Sequence, residues 1–141
     1  MALKELPSGV RFLQCLQTLL LLGNLLRMIP FWLGEIPRRR KLDLSSNALS
    51  RLPQVVVTRV PTLFVLALSR NPITLIKEFE LPSGSLPCLH TLLLNRTRLR
   101  ALPESMSNLR SLRTLDLTDA RLVRFPAVSY THLTLPTIYS V

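Results

Sequence analysis

The sequence predicts an α/β repeat solenoid, with a short parallel β-sheet on its concave face and irregular, 3₁₀ or short helical segments on its convex face. Two observations predict this fold class. One spacing of leucine, asparagine and Leu-Pro recurs along most of the 141 residues, and a fixed period of this length is the signature of stacked repeats. Apolar residues make up 48% of the chain but aromatic residues only 6%, so leucine must supply most of the core.

The clearest copy of the repeat begins at Arg39 and includes Leu-Asp-Leu-Ser-Ser-Asn-Ala-Leu-Ser-Arg-Leu-Pro between Leu42 and Pro53. With Arg39 as position 1, Leu42 and Leu44 at positions 4 and 6 alternate with polar residues, which is the period of a half-buried strand. Asn47 at position 9 is placed to bond the backbone where the strand ends. Pro53 at position 15 fixes φ as the chain turns onto the outer face.

In this register residues 1–127 form one predicted repeat domain. It consists of a partial unit at residues 1–15 and repeats that start at Leu16, Arg39, Leu63, Leu89 and Leu112, the last of them truncated. Position 9 is Asn24, Asn47 and Asn71 in the first three complete repeats, and then Thr97 and Ala120. The three asparagines predict a structural column of stacked side chains.

The partial first unit lacks its strand, which predicts that the chain continues upstream of Met1 in a longer protein. An abbreviated first unit in place of a cap is the alternative. Leu20, Leu22 and Leu25 occupy outward positions of the first complete repeat. They are either a contact patch for a partner or a contact to upstream sequence.

The segments between each Leu-Pro and the next strand are predicted to be irregular or 3₁₀. Met106 and Leu109 lie three residues apart after Pro103, an interval that predicts a short helical turn. Residues 55–57 are three consecutive valines after Pro53, and valine is a poor helix former. This segment is therefore not expected to be helical.

The two cysteines are predicted to be free thiols packed inside the fold. Cys15 and Cys88 each precede position 1 of a repeat and stand three repeats apart. At about 5 Å per strand they are separated by roughly 15 Å, which is too far for a disulfide. Free thiols favour a reducing compartment, so a cytoplasmic location is predicted.

The formal net charge of +10 makes nucleic acid, acidic proteins and anionic lipid the generic partners to consider. Arg39 stands in the basic run 38–41 where leucine is expected, and this edge is predicted to be solvated. The outward columns of the strands lack aromatic residues, which disfavours single-stranded nucleic acid. Arg27 and Pro30 interrupt the apolar run at residues 19–22, which disfavours a membrane span or a signal peptide.

Catalytic chemistry is not visible in the sequence. His90 has no acid and nucleophile in register, no glycine-rich phosphate loop is present, and two cysteines with two histidines make no metal set. The sequence therefore predicts no catalytic residue, no metal site and no cofactor, and the chain is not expected to be an enzyme. A regulatory repeat region of a larger signalling enzyme is left open.

The repeat Leu-x-x-Leu-x-Leu-x-x-Asn-x-Leu-x-x-Leu-Pro resembles the leucine-rich-repeat superfamily over residues 3–126. Its length of about 23 residues is similar to the intracellular class of Ras-pathway and Scribble-type scaffolds. Leu52-Pro53 and Leu102-Pro103 carry this likeness, whereas Ile76-Lys77 lacks the proline. The resemblance implies a non-catalytic signalling scaffold that binds a protein partner on its concave face. It leaves the oligomeric state open.

The concave face is defined by the side chains at positions 3, 5 and 7, which alternate with the buried leucines. The candidate partner-binding residues are Lys41, Asp43, Ser45, Val65, Ala67, Ser69, Thr91, Leu93, Asn95, Thr114 and Asp116. Beside them a basic rim consists of Arg70, Arg96, Arg98 and Arg121.

Like charges about 5 Å apart in water repel by roughly 0.8 kcal/mol, so an acidic partner would relieve the basic rim. Asp119 stands beside Arg96 and offers an internal alternative to such a partner. Binding of nucleic acid or anionic lipid to the basic face is the alternative function.

Residues 128–141 fit no repeat position. Val-Ser-Tyr-Thr-His-Leu-Thr-Leu-Pro-Thr at 128–137 resembles a translated sequencing-library adapter. The segment is therefore interpreted as a non-native tail and is excluded from functional reasoning.

Overall fold

Five short strands form one parallel sheet in the computed structural model, which describes residues 2–123. The strands are β1 (Thr18–Leu20), β2 (Lys41–Asp43), β3 (Val65–Ala67), β4 (Thr91–Leu93) and β5 (Thr114–Asp116), and they lie in the order of the chain. Each strand residue pairs with the residue at the same repeat position, so that Leu19, Leu42, Leu66, Leu92 and Leu115 stand in one row. The predicted parallel sheet is confirmed. The adapter-like tail lies outside the described residues.

The bend that follows each of the five strands has the same backbone conformation. Position 8 has a positive φ, between 54° and 73°, at Gly23, Ser46, Arg70, Arg96 and Asp119. Its N–H still reaches the next repeat, as in the bond from Ser46 N to the Ser69 carbonyl at 2.8 Å. A residue with a Cβ loses about 1 kcal/mol in this conformation, and Ser46, Arg70 and Arg96 adopt it while keeping the bond.

The core is a continuous column of leucines between the sheet and the outer segments. Leu42, Leu66, Leu92 and Leu115 are at most 2% exposed. Each buried leucine contributes roughly 2 kcal/mol. Because no single repeat encloses its own leucines, this stabilisation depends on the neighbouring repeats.

The outer segments are mainly 3₁₀ helices, as predicted, at Ser8–Phe12, Phe31–Glu35, Glu78–Glu80 and Glu104–Asn108. The exception is a six-residue α-helix, α1 (Gln54–Arg59), at the valine cluster. The prediction that this segment would not be helical is wrong. Val56 and Val57 are buried, and burial at roughly 2 kcal/mol each outweighs a helix penalty of about 0.6 kcal/mol per valine.

Arg39 overturns the expectation of a solvated edge, because only 1% of its surface is exposed. Position 1 points into the core whichever residue occupies it, and in the following repeats it holds buried leucines such as Leu63 and Leu89. The Nε and both Nη atoms of Arg39 have no hydrogen-bond partner. Burial lowers the pKa of this guanidinium below its ordinary value.

The cysteines also differ from the prediction of packed thiols. Cys15 and Cys88 are free, and both are exposed. Each stands just before position 1, which is the first residue of its repeat to point inward, and so lies outside the core.

Candidate partner-binding surface

The concave-face side chains stand in rows across the sheet, since the strands are paired in register. Val65 lies between Lys41 and Thr91, and Ala67 lies between Asp43 and Leu93. Neighbouring strands are about 4.8 Å apart, so these side chains form one continuous surface.

The structure leaves all but two of the eleven candidate residues at least partly exposed. The exceptions are Ala67 and Ser69, which are 4% and 8% exposed. Ala67 lies between the larger Asp43 and Leu93, and the Ser69 hydroxyl is bonded to Asn95. As they stand, Ala67 and Ser69 offer little surface to a partner.

Several polar side chains of this face are already held in place by short-range bonds. Oδ1 of Asp43 accepts the N–H of Ser45 at 3.0 Å, and Oδ1 of Asp116 accepts the N–H of Thr118 at 2.9 Å. The Ser69 hydroxyl donates to Oδ1 of Asn95. A surface whose side chains are ordered beforehand loses less conformational entropy when a partner binds.

The basic rim is partly neutralised within the chain. Arg96 Nε lies 3.5 Å from Asp119 Oδ2, and both side chains are more than half exposed, so the pair contributes at most about 1 kcal/mol. Among residues 2–123, Arg70, Arg98 and Arg121 take part in no ion pair. These three cations are available to a partner.

One feature of the surface was missed by the sequence reasoning, which considered positions 3, 5 and 7 and the basic rim beside them but not position 2. The rings of Phe64 and His90 stack with centroids 4.8 Å apart and planes 15° apart. The guanidinium of Arg40 lies 5.5 Å from the Phe64 ring centroid. All three residues occupy position 2 of successive repeats, so reading that column would have found them.

The asparagine column connects neighbouring repeats. Nδ2 of Asn71 donates to the carbonyls of Leu44 and Leu68 at 2.9 and 3.0 Å, while its Oδ1 accepts the N–H of Leu49 at 3.0 Å. Asn47 makes the same set of bonds one repeat earlier, and Asn24 accepts the N–H of Leu3. These side chains bind the backbone of the protein itself.

The two repeats without asparagine satisfy this turn differently. The Thr97 hydroxyl donates to the Leu94 carbonyl at 2.8 Å. At Ala120 the backbone N–H donates to the Leu117 carbonyl at 3.0 Å. The backbone there takes over part of the role of the missing side chain.

Comparison with solved structures places this geometry among known folds. The chain matches the TLR13–ssRNA13 complex with a TM-score of 0.78 and 25% identity, over 90% of this chain and 18% of that one. It matches a Leptospira interrogans LRR protein with a TM-score of 0.65 and 25% identity, over 89% of this chain and 37% of that one. The fold is a leucine-rich-repeat solenoid. The fold predicted from the sequence is therefore confirmed.

A third leucine-rich-repeat neighbour is the plant peptide hormone receptor RGFR1 in complex with RGF2. It has a TM-score of 0.62 and 22% identity, over 89% of this chain and 22% of that one. At this identity the likeness concerns the fold alone.

Two curated proteins match part of the sequence, although no family model matches the chain. The chain is 38% identical over 88 residues to a probable disease resistance protein of Arabidopsis thaliana, covering 60% of the chain and 9% of that protein. It is 38% identical over 79 residues to an uncharacterized leucine-rich repeat-containing protein of Schizosaccharomyces pombe, covering 55% and 13%. The chain thus spans about a tenth of the length of these relatives.

The leucine-rich-repeat fold of these neighbours is typical of protein or ligand recognition. Within residues 2–123 no group of three or more His, Cys, Asp or Glu residues is arranged to hold a metal ion. No helix in the same range has the length and apolar character to cross a bilayer. The expectation that nucleic acid is disfavoured finds no support, because TLR13 is itself a leucine-rich-repeat neighbour in complex with single-stranded RNA.

Proposed function

We propose that this chain is a non-catalytic recognition module that binds a protein partner through its concave face. The observation that carries the proposal is the register of the sheet, which brings side chains of mixed chemistry from five strands into continuous rows. Such a surface provides apolar, polar and charged contacts at fixed spacing. The bonds at Asp43, Asp116 and Ser69 support it by ordering the surface beforehand.

Leu93 is the proposed centre of this interface. It is a partly exposed leucine that lies between Ala67 and Asp116 in its row. Energetic hot spots cluster near the middle of an interface and are surrounded by contacts that exclude water, and Leu93 has that central position on the concave face. The unpaired cations of the basic rim favour a partner with acidic residues beside its apolar anchor.

A photo-crosslinking residue at position 93 of the full chain would capture the partner in cells, with the same residue at the exposed position 75 as the control. Affinity for the captured protein is then measured for Leu93→Arg and Asn95→Arg. We expect each to weaken binding at least tenfold, equivalent to about 1.4 kcal/mol, because a long cation replaces part of the contact surface. Leu75→Arg is expected to bind normally.

Circular dichroism melts of all three variants would show whether the fold is retained. Folded Leu93→Arg and Asn95→Arg proteins that bind the partner as tightly as the parent would overturn the concave-face proposal.

Binding of single-stranded nucleic acid is the second candidate. The stacked Phe64 and His90 rings beside Arg40 provide aromatic and cationic groups, as single-strand sites do, and the TLR13 neighbour is in complex with single-stranded RNA. A fluorescent oligouridylate is the probe. Two results would support this candidate. The affinity falls steeply between roughly 50 and 200 mM salt, and the double variant Arg40→Ser, Phe64→Ser binds the oligonucleotide more weakly. Weak, salt-insensitive binding would exclude it.

We further propose a cytoplasmic location. Cys15 and Cys88 are free and exposed, a state that persists in reducing compartments. After cell fractionation, the protein is expected in the cytosolic fraction, with both thiols reactive toward maleimide. Recovery of the protein in a secreted fraction with its thiols oxidised would contradict the proposal.

A further inference from the structure

An apolar groove lies on the outer segments of the solenoid. It is next to Ile29-Pro30 and Leu52-Pro53, where the chain turns away from the sheet. It encloses about 850 Å³ and is lined by residues that include Leu6, Met28, Ile29, Phe31, Trp32 and Val55. Leu6, Ile29 and Trp32 are buried, whereas Met28 and Phe31 are 74% and 66% exposed. Its volume is in the range of ligand-binding clefts.

The groove continues into a smaller one of about 280 Å³, which shares Met28, Ile29 and Val55 with it. Arg27 and Arg51 line this second part. Both arginines are exposed, and neither takes part in an ion pair among residues 2–123. The combined groove is therefore largely apolar, with Arg27 and Arg51 in its smaller part and Glu5 in its larger part.

A further repeat stacked on the end of the solenoid would not cover this groove. Its lining comes from three successive units, the partial unit with Leu6, the repeat with Met28 and the repeat with Val55. In a solenoid each unit contacts only its neighbours, so a unit added beyond residues 2–15 would not reach Val55. The part of the groove at Met28 and Val55 would therefore stay open beside another repeat.

We propose that this groove is a second binding site, for an extended segment of another protein that carries bulky apolar side chains followed by one or more acidic residues. The apolar side chains lie against Met28, Phe31 and Val55, and the acidic residues lie against Arg27 and Arg51. An open groove that crosses repeats fits an elongated chain segment. The two arginines set the direction in which the segment binds. The site is separate from the concave face and does not depend on it.

The chain contains a single tryptophan, and Trp32 lines the groove. Its fluorescence therefore reports directly on occupancy of the groove. The experiment selects binders from a random peptide library displayed on phage, with the full chain as bait. Selected peptides without tryptophan are then synthesised and titrated against the chain.

We expect the selected peptides to combine bulky apolar with acidic residues, to shift the Trp32 emission, and to bind Met28→Asp and Phe31→Ser at least tenfold more weakly. Charge reversal in the double variant Arg27→Glu, Arg51→Glu is expected to have a similar effect. The groove side chains that are changed are exposed, so these variants should fold. Leu75→Asp and Phe79→Ser are the matched controls, since both residues are exposed and lie outside the groove, in the repeat that starts at Leu63. Leu75 also has the repeat position of Met28.

Four outcomes would overturn the proposal. The first is a library that yields no binder. The second is peptides that leave the Trp32 emission unchanged or that bind Met28→Asp as tightly as the parent. The third is peptides whose affinity is lost in Leu93→Arg, which would place them on the concave face. The fourth is self-association of the chain in sedimentation experiments that Phe31→Ser abolishes, which would make a second copy the occupant.

Discussion

Arg39 shows what a repeat register imposes on a single residue. The column at position 1 needs an apolar side chain, yet here it holds a guanidinium without any hydrogen-bond partner. Burial of an unpaired charge costs several kcal/mol, and the lowered pKa of Arg39 has the same cause. The free energy gained from the buried leucines of the surrounding repeats outweighs this cost.

Replacement of Arg39 by leucine is expected to stabilise the protein by about 3 kcal/mol, because it removes the buried charge and restores the apolar column. The free energy of unfolding from urea titration is the measurement. Arg98→Leu, at an exposed arginine, serves as the control and should change stability by less than about 0.5 kcal/mol. A destabilised Arg39→Leu protein would show that the guanidinium has a partner in solution.

Asn71→Ala is expected to cost about 3 kcal/mol, since the substitution removes the side-chain partner of three backbone carbonyls and one buried N–H. Asn24→Ala is the matched comparison in a partly exposed copy of the same site, and should cost about 1 kcal/mol because water replaces the lost bonds. Urea titrations would compare the two. Equal losses would show that burial of the asparagine column is energetically unimportant.

At the scale of the element, α1 forms because it packs against the 3₁₀ helix Phe31–Glu35 of the previous repeat. A Cβ on Gly34 would lie 2.5 Å from the Arg59 Cβ. This distance is below any normal contact, so the two segments approach as closely as they do because residue 34 is glycine.

Gly34→Ala is therefore expected to destabilise the protein by about 2 kcal/mol through overpacking. Gly9→Ala is the control, because Gly9 also lies in a 3₁₀ helix but has no atom within 4 Å of its added Cβ. Its stability should change by less than about 0.5 kcal/mol. Thermal melts with equal effects of both substitutions would contradict the close packing of α1.

Glu78 caps a helix of the following repeat. Its carboxylate accepts the N–H of Glu104 at 2.7 Å and that of Ser105 at 2.9 Å, at the start of the helix Glu104–Asn108. The backbone bond from Ser105 is the main cause that lowers the pKa of Glu78 below its ordinary value of 4.5. The charged form of Glu78 is thus favoured in the folded state. The cap therefore stabilises the protein fully at pH values above the ordinary pKa of 4.5, and this stabilisation is lost as the pH falls through the lowered pKa.

Glu78→Gln is accordingly expected to lower the melting temperature at pH 7, with a difference from the parent that shrinks as the pH falls below 4.5. Melts followed by circular dichroism at pH 7 and at acidic pH measure this. Glu5→Gln, at an exposed carboxylate, should show no such trend. A difference that is the same at all pH values would rule out the charged cap.

At the scale of the whole molecule, stability depends on contacts between neighbouring repeats, because the sheet and the leucine column are both continuous. An inner repeat has neighbours on both sides and packs more tightly than one near an end. Leu66 in β3 is fully buried, whereas Leu19 in β1 is partly exposed.

Hydrogen exchange should reveal this gradient. The Leu68 N–H, bonded to the Leu93 carbonyl, is expected to exchange roughly tenfold more slowly than the Leu21 N–H, bonded to the Asp43 carbonyl. Both bonds are 2.8 Å long, so bond length does not cause the difference. Equal rates measured by NMR would indicate that the described repeats unfold as one unit.

The sequence by itself determined the repeat register, and with it the parallel sheet, the buried leucine rows and the composition of the concave face. These features follow from local periodicity, since alternation decides which side chains of a strand point inward. The positions of Leu42, Leu66 and Leu92 could be read directly. So could the asparagines that bond the backbone at the bends.

Only the tertiary structure decided which residues depart from their local preference and which come together from different repeats. The burial of Val56 and Val57 makes the segment of α1 helical. The repeat register places Arg39 in the core although its side chain is charged. The groove around Trp32 combines residues from three successive units. Its contacts depend on how the outer segments pack, and no spacing along the chain encodes those distances.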